Sequence, residues 1–479
     1  MSEAPSYHCM PSTDTIFGWI EDLWKFGAES SYGWRMPGTP ADHQAVEYIL
    51  ERLRSFGLEN CEKEIVAVPA CFPEIWRLAI DTDDAEPKEI PCSYVHYAAS
   101  TPQEGITAEL VYVNQGSEKD FKATQKSVGV AGKIVLVDVP SSNWRCDDWF
   151  RDALFVYDPD TSLPGSAFIE NWPRDFGEAI RTASRYGAIG FIGVLIDTPT
   201  ENSLFYHGPR HDAVRMPCLN VSPASGEYLR NLIKQHPTRA TMVVTNTGQQ
   251  RWDRGTFHGI WGATYDVSGF LPGKSDEVII IMSHHDGGAV NEASGAASVM
   301  ALAKYFAQFP KGSRNRTLLF FLIGSHFGQR PPTLDQSRIL DALKEHVACV
   351  INIEMIGKEY KLINGEYRDM GRISPVNFGL TQPNPQVVSI ISEALKKHDL
   401  RRSVVTGRYI GEAHMMGARI GFPTIERLAL NATQFNLYDT PETVAKDALR
   451  PTACAFVDII KKLDTMSREH IGKNPFFNP

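Results

Sequence analysis

The chain has 479 residues, of which 43% are hydrophobic and 22% charged, and a formal net charge of −9. This length exceeds one compact core and predicts two domains, while the composition is that of a folded globular protein and excludes disordered, collagen-like and fibrous classes. The acidic balance argues against a nucleic-acid or anionic-membrane partner, which clustered Lys and Arg would read, and favours a small-molecule or short peptide-like substrate.

The segment MSEAPSYHCMPSTDTIFGWIEDLW shows no basic stretch followed by an apolar one, and no later run reaches the roughly 18 apolar residues of a membrane helix. The expectation is a cytoplasmic protein without a membrane partner, with homo-oligomerisation left open. Eight cysteines without a CxxC pair predict free thiols rather than disulfides or a cysteine zinc site. Any metal must then be held by His and carboxylates.

In chain order, Asp42–Phe56 carries an amphipathic helix pattern closed by Gly57 in a C-cap position, and a strand is predicted around Lys63–Val68. From about Gly105 short β-rich runs, AELVYV and KIVLVDV, alternate with polar turns; a helical AIRTASRYGA then leads into IGFIGVLI. This predicts a separate β-rich unit beginning near Gly105. Within it, residues 141–175 hold Trp144, Trp149 and Trp172 without helical or strand periodicity, which suits either a lid or the surface by which the unit packs on its neighbour. From about Thr256 apolar strands alternate with helices: EVIIIMS, SGAASVMALAKYFAQF, TLLFFLI, a helical stretch near 334–346, and ACVINIEMI. That alternation predicts an α/β domain with a mainly parallel sheet covered on both faces. Ligands of such sheets bind outside the carboxyl ends of the strands.

Polar residues recur at those ends. The first strand runs into His284-His285-Asp286-Gly287-Gly288 and Asn291-Glu292, the second into Ser325-His326 and the third into Glu354; Glu412, His414 and Tyr438-Asp439 follow near the C-terminus. His284, His326 and Glu354 offer two imidazoles and a carboxylate, enough to hold one divalent ion with positions left for water or substrate.

These residues resemble the two-zinc aminopeptidases related to bacterial leucyl aminopeptidase, glutamate carboxypeptidase II and glutaminyl cyclase. The resemblance rests on Arg35-Met36-Pro37-Gly38-Thr39-Pro40 with its helix, on SHHDGG followed by NEASGAASVMALA, and on a stretch from about 100 to 248 similar to the inserted protease-associated domain. It implies an aminopeptidase-like domain formed by 1–100 and 249–479, interrupted by the insert at 101–248.

Carried over by position, the resemblance makes His284 a metal ligand and Asp286 the carboxylate that orients it. Asn291 stands where the family has its bridging Asp, Ser325 and His326 where it has paired glutamates, and Glu354 where it has a ligand Asp. Tyr438 stands in place of the last ligand His. The replacements imply one divalent ion per chain, of zinc, iron or manganese, on His284, His326 and Glu354, with Asn291 beside it. Glu292, Glu412 and Tyr438 become candidates for moving the proton, Ser325 and His414 for binding substrate, and His285 is expected to be structural. The reaction expected is metal-dependent hydrolysis of a small-molecule amide or other C–N bond. A lyase, cyclase or iron enzyme and a non-catalytic binding protein are the alternatives.

Overall fold

The computed structural model describes residues 7–477 apart from 71, 82–85, 174–175, 208–215, 248–250, 254–255, 259 and 329–336. The apolar runs form the centre of a nine-stranded sheet. Its order is Glu59–Pro69, Trp261–Leu271, Thr317–Ile323, Val278–His284, Val347–Ile353, Thr424–Leu428, Val376–Leu380, Ser403–Thr406 and Phe155–Tyr157. The four strands from Thr317–Ile323 to Thr424–Leu428 are parallel neighbours, and every residue of Val278–His284 and Val347–Ile353 is buried.

Side chains alternate between two cores, as the two-residue period of a strand requires. Ile279, Ile281, Leu318 and Phe320 pack in the larger core with the helices Ser294–Phe306 and Lys446–Leu463. Val278, Ile280, Met282, Leu319 and Phe321 face a smaller core with Met416 and Phe422.

Local chemistry seats these layers. The helix Pro40–Ser55 starts at Thr39, whose hydroxyl accepts from Asp42 N, and has proline in its first turn. Its buried Ala45, Val46, Ile49, Leu50 and Leu53 form the stripe that the sequence pattern predicts. The helix Ser294–Phe306 begins so close to the sheet that a Cβ on Gly295 would lie 2.2 Å from the Ile353 carbonyl oxygen and 2.3 Å from Ser283 Oγ. Only glycine fits there, and the contact fixes the ends of the two strands that carry His284 and Glu354.

A second, eight-stranded sheet is built from Ile106–Tyr112, Ile134–Asp138, Gly190–Val194, Cys218–Val221 and Arg239–Thr247, but also from Phe72–Ile80, Lys88–Glu89 and Cys92–Tyr94. It therefore reaches back across position 100, because Phe72–Ile80 pairs antiparallel with Arg239–Thr247. The Trp-containing segment is seated at a sheet edge. Ser141–Arg145 pairs with Ala167–Pro173, Trp144 stacks on Trp149 and Trp149 on Phe168, and Phe155–Tyr157 adds the last strand of the large sheet. That strand lies four places from the one preceding Glu354. The side chain of Trp172 lies outside the described residues. Among the described residues no helix is long and apolar enough to cross a membrane, and Cys9, Cys61, Cys92, Cys146, Cys218, Cys349 and Cys454 are free thiols.

Candidate metal centre

His284 ends its strand, Glu354 directly follows the strand Val347–Ile353, and His326 lies just beyond Thr317–Ile323. The carboxyl ends of three adjacent parallel strands thus deliver two imidazoles and a carboxylate to one place. One ligand atom each from His284, His326 and Glu412 lies within 4.8 Å of the others. The two rings are stacked, centroids 4.1 Å apart and planes inclined by 13°. His326 Nδ1 is in hydrogen-bond contact with Glu412 Oε1, and Glu354 Oε2 lies 3.8 Å from His284 Nε2.

Asp286 orients this cluster. Its Oδ1 is 3.1 Å from His284 Nδ1 and its Oδ2 accepts from Phe327 N at 2.7 Å, so with the proton on Nδ1 the lone pair of His284 Nε2 points into the cluster. His284 Nε2 and Glu412 Oε2 are both buried without a hydrogen-bond partner. Two orphaned donor atoms with this chemistry fit a divalent cation.

The electrostatics follow from burial and crowding. Burial opposes charge on His284, but Glu412, Asp286 and Glu354 outweigh it and raise its pKa well above the usual value. His326 is held down to about 4 by burial and by the neighbouring His284. Burial together with Glu354 pushes Glu412 well up. Burial works against ionisation of Glu354 too, yet its neighbours Glu412 and His284 prevail and lower its pKa. The two neighbouring carboxyls are thus shifted in opposite directions, Glu354 down and Glu412 up.

Two residues position the cluster: Glu426, which the sequence does not single out, and Arg35, which it marks only as part of the N-terminal motif. Glu426, buried on the next strand, accepts from Ile410 N at 3.1 Å and from Ala413 N at 3.3 Å, fixing the loop that presents Glu412. Arg35, fully buried, donates to the carbonyls of His285 and Gly288 at 2.7 and 2.8 Å, bracing the turn after His284. His285 faces away from the cluster, its Nε2 3.0 Å from the Tyr265 carbonyl and its Nδ1 3.5 Å from Asp42.

The remaining expected residues fall in different places. Glu292 is fully buried; Gly288 N donates to its Oε2 at 2.5 Å, and its Oε1 has no partner. Ser325 is buried with an unpartnered hydroxyl. For Asn291 only the backbone, in the π-helical turn Ala289–Ala293, is described; its side chain lies outside the described residues. His414 is exposed at the start of the π-helical turn His414–Ile420 and is not part of the cluster.

Tyr438 corrects the expectation most clearly. It is 37% exposed, and its ring meets Tyr367 edge-on. The turn there directs the next residue inward instead: Asp439 is buried, accepts from Ala289 N and Val290 N at 3.2 and 2.7 Å, and accepts from the Tyr206 hydroxyl at 2.7 Å. Burial raises Asp439 to about 6 despite those hydrogen bonds. The pair Tyr438-Asp439 was visible in the sequence, but which of the two faces inward depends on the turn. An aromatic wall closes the site, with Phe327 against His326 (4.7 Å), His284 (5.8 Å) and Phe435 (5.7 Å).

Residues 266–373 match the description Peptidase family M28. A probable glutamate carboxypeptidase VP8 of Zea mays is 30% identical over 117 residues, which are 22% of this chain and 16% of that protein, so the match spans a small part of the relative. Among solved structures, a zinc aminopeptidase from Bacillus subtilis superimposes with a TM-score of 0.63 at 15% identity, covering 97% of this chain and 99% of that one. A peptidase M28 precursor from Shewanella amazonensis SB2B gives 0.64 at 16% identity over 98% and 99%, and an aminopeptidase from Aneurinibacillus sp. strain AM-1 gives 0.58 at 17% over 96% of each. Residues 266–373 are thus similar to Peptidase family M28, and the chain as a whole has the fold of these zinc aminopeptidases.

Proposed function

We propose that the chain is a metal-dependent hydrolase of a small-molecule amide or other C–N bond, working with a single divalent ion held by His284, His326 and Glu412. The observation that carries this reading is the convergence of those three side chains, with His284 Nε2 and Glu412 Oε2 buried and unpartnered. Glu354, 3.8 Å from His284 Nε2, keeps the surrounding charge negative. When bound, such an ion lowers the pKa of a water and polarises a carbonyl.

The protein's own groups do the rest. Asp286 holds the tautomer and direction of His284, and Glu426 holds the Glu412 loop. Glu292, whose Oε1 is unpartnered, accepts the proton of the attacking water and returns it to the leaving nitrogen. Phe327, packed against both imidazoles and backed by Phe435, forms an apolar wall beside the cluster. Zinc is the metal named for the Bacillus subtilis enzyme and is our first choice here. Ser325 and Asn291, standing where the resemblance expects a base and a bridging carboxylate, favour a specialised small substrate over general peptides.

The test is metal analysis of the purified protein alongside hydrolysis of aminoacyl anilides and of a panel of small N-acyl amides. One equivalent of metal and metal-dependent turnover of an N-acyl amide are expected. Two equivalents of zinc with efficient turnover of aminoacyl anilides would overturn the reading.

A further inference from the structure

Apart from the metal centre, a cavity of about 390 Å³ opens between the strand Val376–Leu380, residues 398–403 and the start of the helix Lys446–Leu463. Its walls are largely hydrocarbon, from Val376, Phe378, Leu400, Ala448 and Pro451. Two buried arginines also line it.

Arg427, 1% exposed, donates through Nη1 to the carbonyls of Glu354 and Met355 at 2.5 and 2.6 Å. Among the described residues its Nε and Nη2 meet no acceptor, and no carboxylate is paired with it. Arg402, 3% exposed, uses Nη1 on Ser162 and Nη2 on Glu359, while its Nε is buried without a partner. The acids of the same cavity do not fill the gap. Asp160 and Asp399 are engaged by Arg401 at 2.7 and 2.9 Å, and Asp447 is exposed at the rim.

Glu354 is the carboxylate whose charge Arg427 feels, but the two form no ion pair, and a buried guanidinium without a direct partner is costly. Its Nε and Nη2 edge is a planar fork that matches the two oxygens of a carboxylate. The apolar walls ask for a hydrocarbon body behind that carboxylate, which inorganic phosphate lacks. We propose that this cavity is a binding site for a small monocarboxylate with an apolar body, its carboxylate on the free edge of Arg427 and its body against Phe378, Leu400 and Pro451. The cavity adjoins the metal centre only through the Arg427 contact with the Glu354 carbonyl, and the proposal does not depend on the hydrolase reading.

The experiment is calorimetric titration of the full metal-loaded chain with phenylacetate, phenylacetamide and inorganic phosphate. Saturable binding of one phenylacetate per chain is expected, with the neutral amide and phosphate at least about tenfold weaker, since neither offers a carboxylate to the guanidinium behind an apolar body. Ala448→Trp, which fills the cavity from the helix, should weaken phenylacetate binding at least about tenfold with metal content unchanged; Pro451→Trp makes the same test if the first variant does not fold. Absence of saturable binding, equal binding of the amide or phosphate, or binding untouched by the cavity-filling variant would overturn the proposal, the last by placing phenylacetate elsewhere.

Discussion

The imidazoles of His284 and His326 lie face to face, centroids 4.1 Å apart, from the ends of two adjacent parallel strands. Two such rings cannot both carry a proton at low cost, and His326 is accordingly held down to about 4 by burial and His284. On the proposed reading, a cation shared by His284, His326 and Glu412 would offset this crowding. His326→Ala is expected to reduce bound metal from about one equivalent to below about a tenth, measured by mass spectrometry of the desalted protein, with the far-ultraviolet circular dichroism unchanged.

Asp286 touches His284 and the Phe327 amide and is not a member of the ligand cluster. Asp286→Asn should therefore weaken metal affinity by about 10–100-fold, the range usual for groups that orient a ligand. Competition with a chromogenic chelator measures it; a change below twofold would remove Asp286 from this role.

Glu412 and Tyr438 make opposite predictions. Glu412 is fully buried at the cluster, whereas Tyr438 is 37% exposed beside Tyr367. Glu412→Gln should lower kcat/KM by at least about 100-fold, and Tyr438→Phe should leave it within about twofold. A loss of 100-fold in the tyrosine variant would return Tyr438 to the site.

Asp266 is fully enclosed and accepts from Gly324 N at 3.1 Å; burial pushes its pKa from 3.8 to about 7. The folded state thus binds a proton that the unfolded state releases, so the contribution is complete below pH 3.8 and is lost as the pH rises to about 7. Asp266→Asn keeps an acceptor for Gly324 without the charge. Its stability advantage over the natural chain, from urea unfolding, should grow between about pH 4 and 7 and then level off. A difference flat across that range would contradict the assignment.

The strands that carry His284, His326 and Glu354 were readable because continuous apolar runs such as Thr317–Ile323 and Val347–Ile353 are what a doubly covered parallel sheet requires. Glu412 could be named, but its approach to His326 depends on Glu426 holding the Ile410 and Ala413 amides, a contact that leaves no periodic trace. The choice between Tyr438 and Asp439 depends on how one turn rotates. The second sheet crosses position 100 because Phe72–Ile80 pairs with Arg239–Thr247, a distant partner that local pattern cannot specify.

The most direct measurement is a crystal structure of the metal-loaded protein with anomalous data at the absorption edge of the bound metal. One anomalous peak per chain is expected, contacted by His284, His326 and Glu412. Two peaks about 3.5–4 Å apart, the spacing of paired catalytic metals, or a peak away from His284 and His326, would contradict the one-metal account.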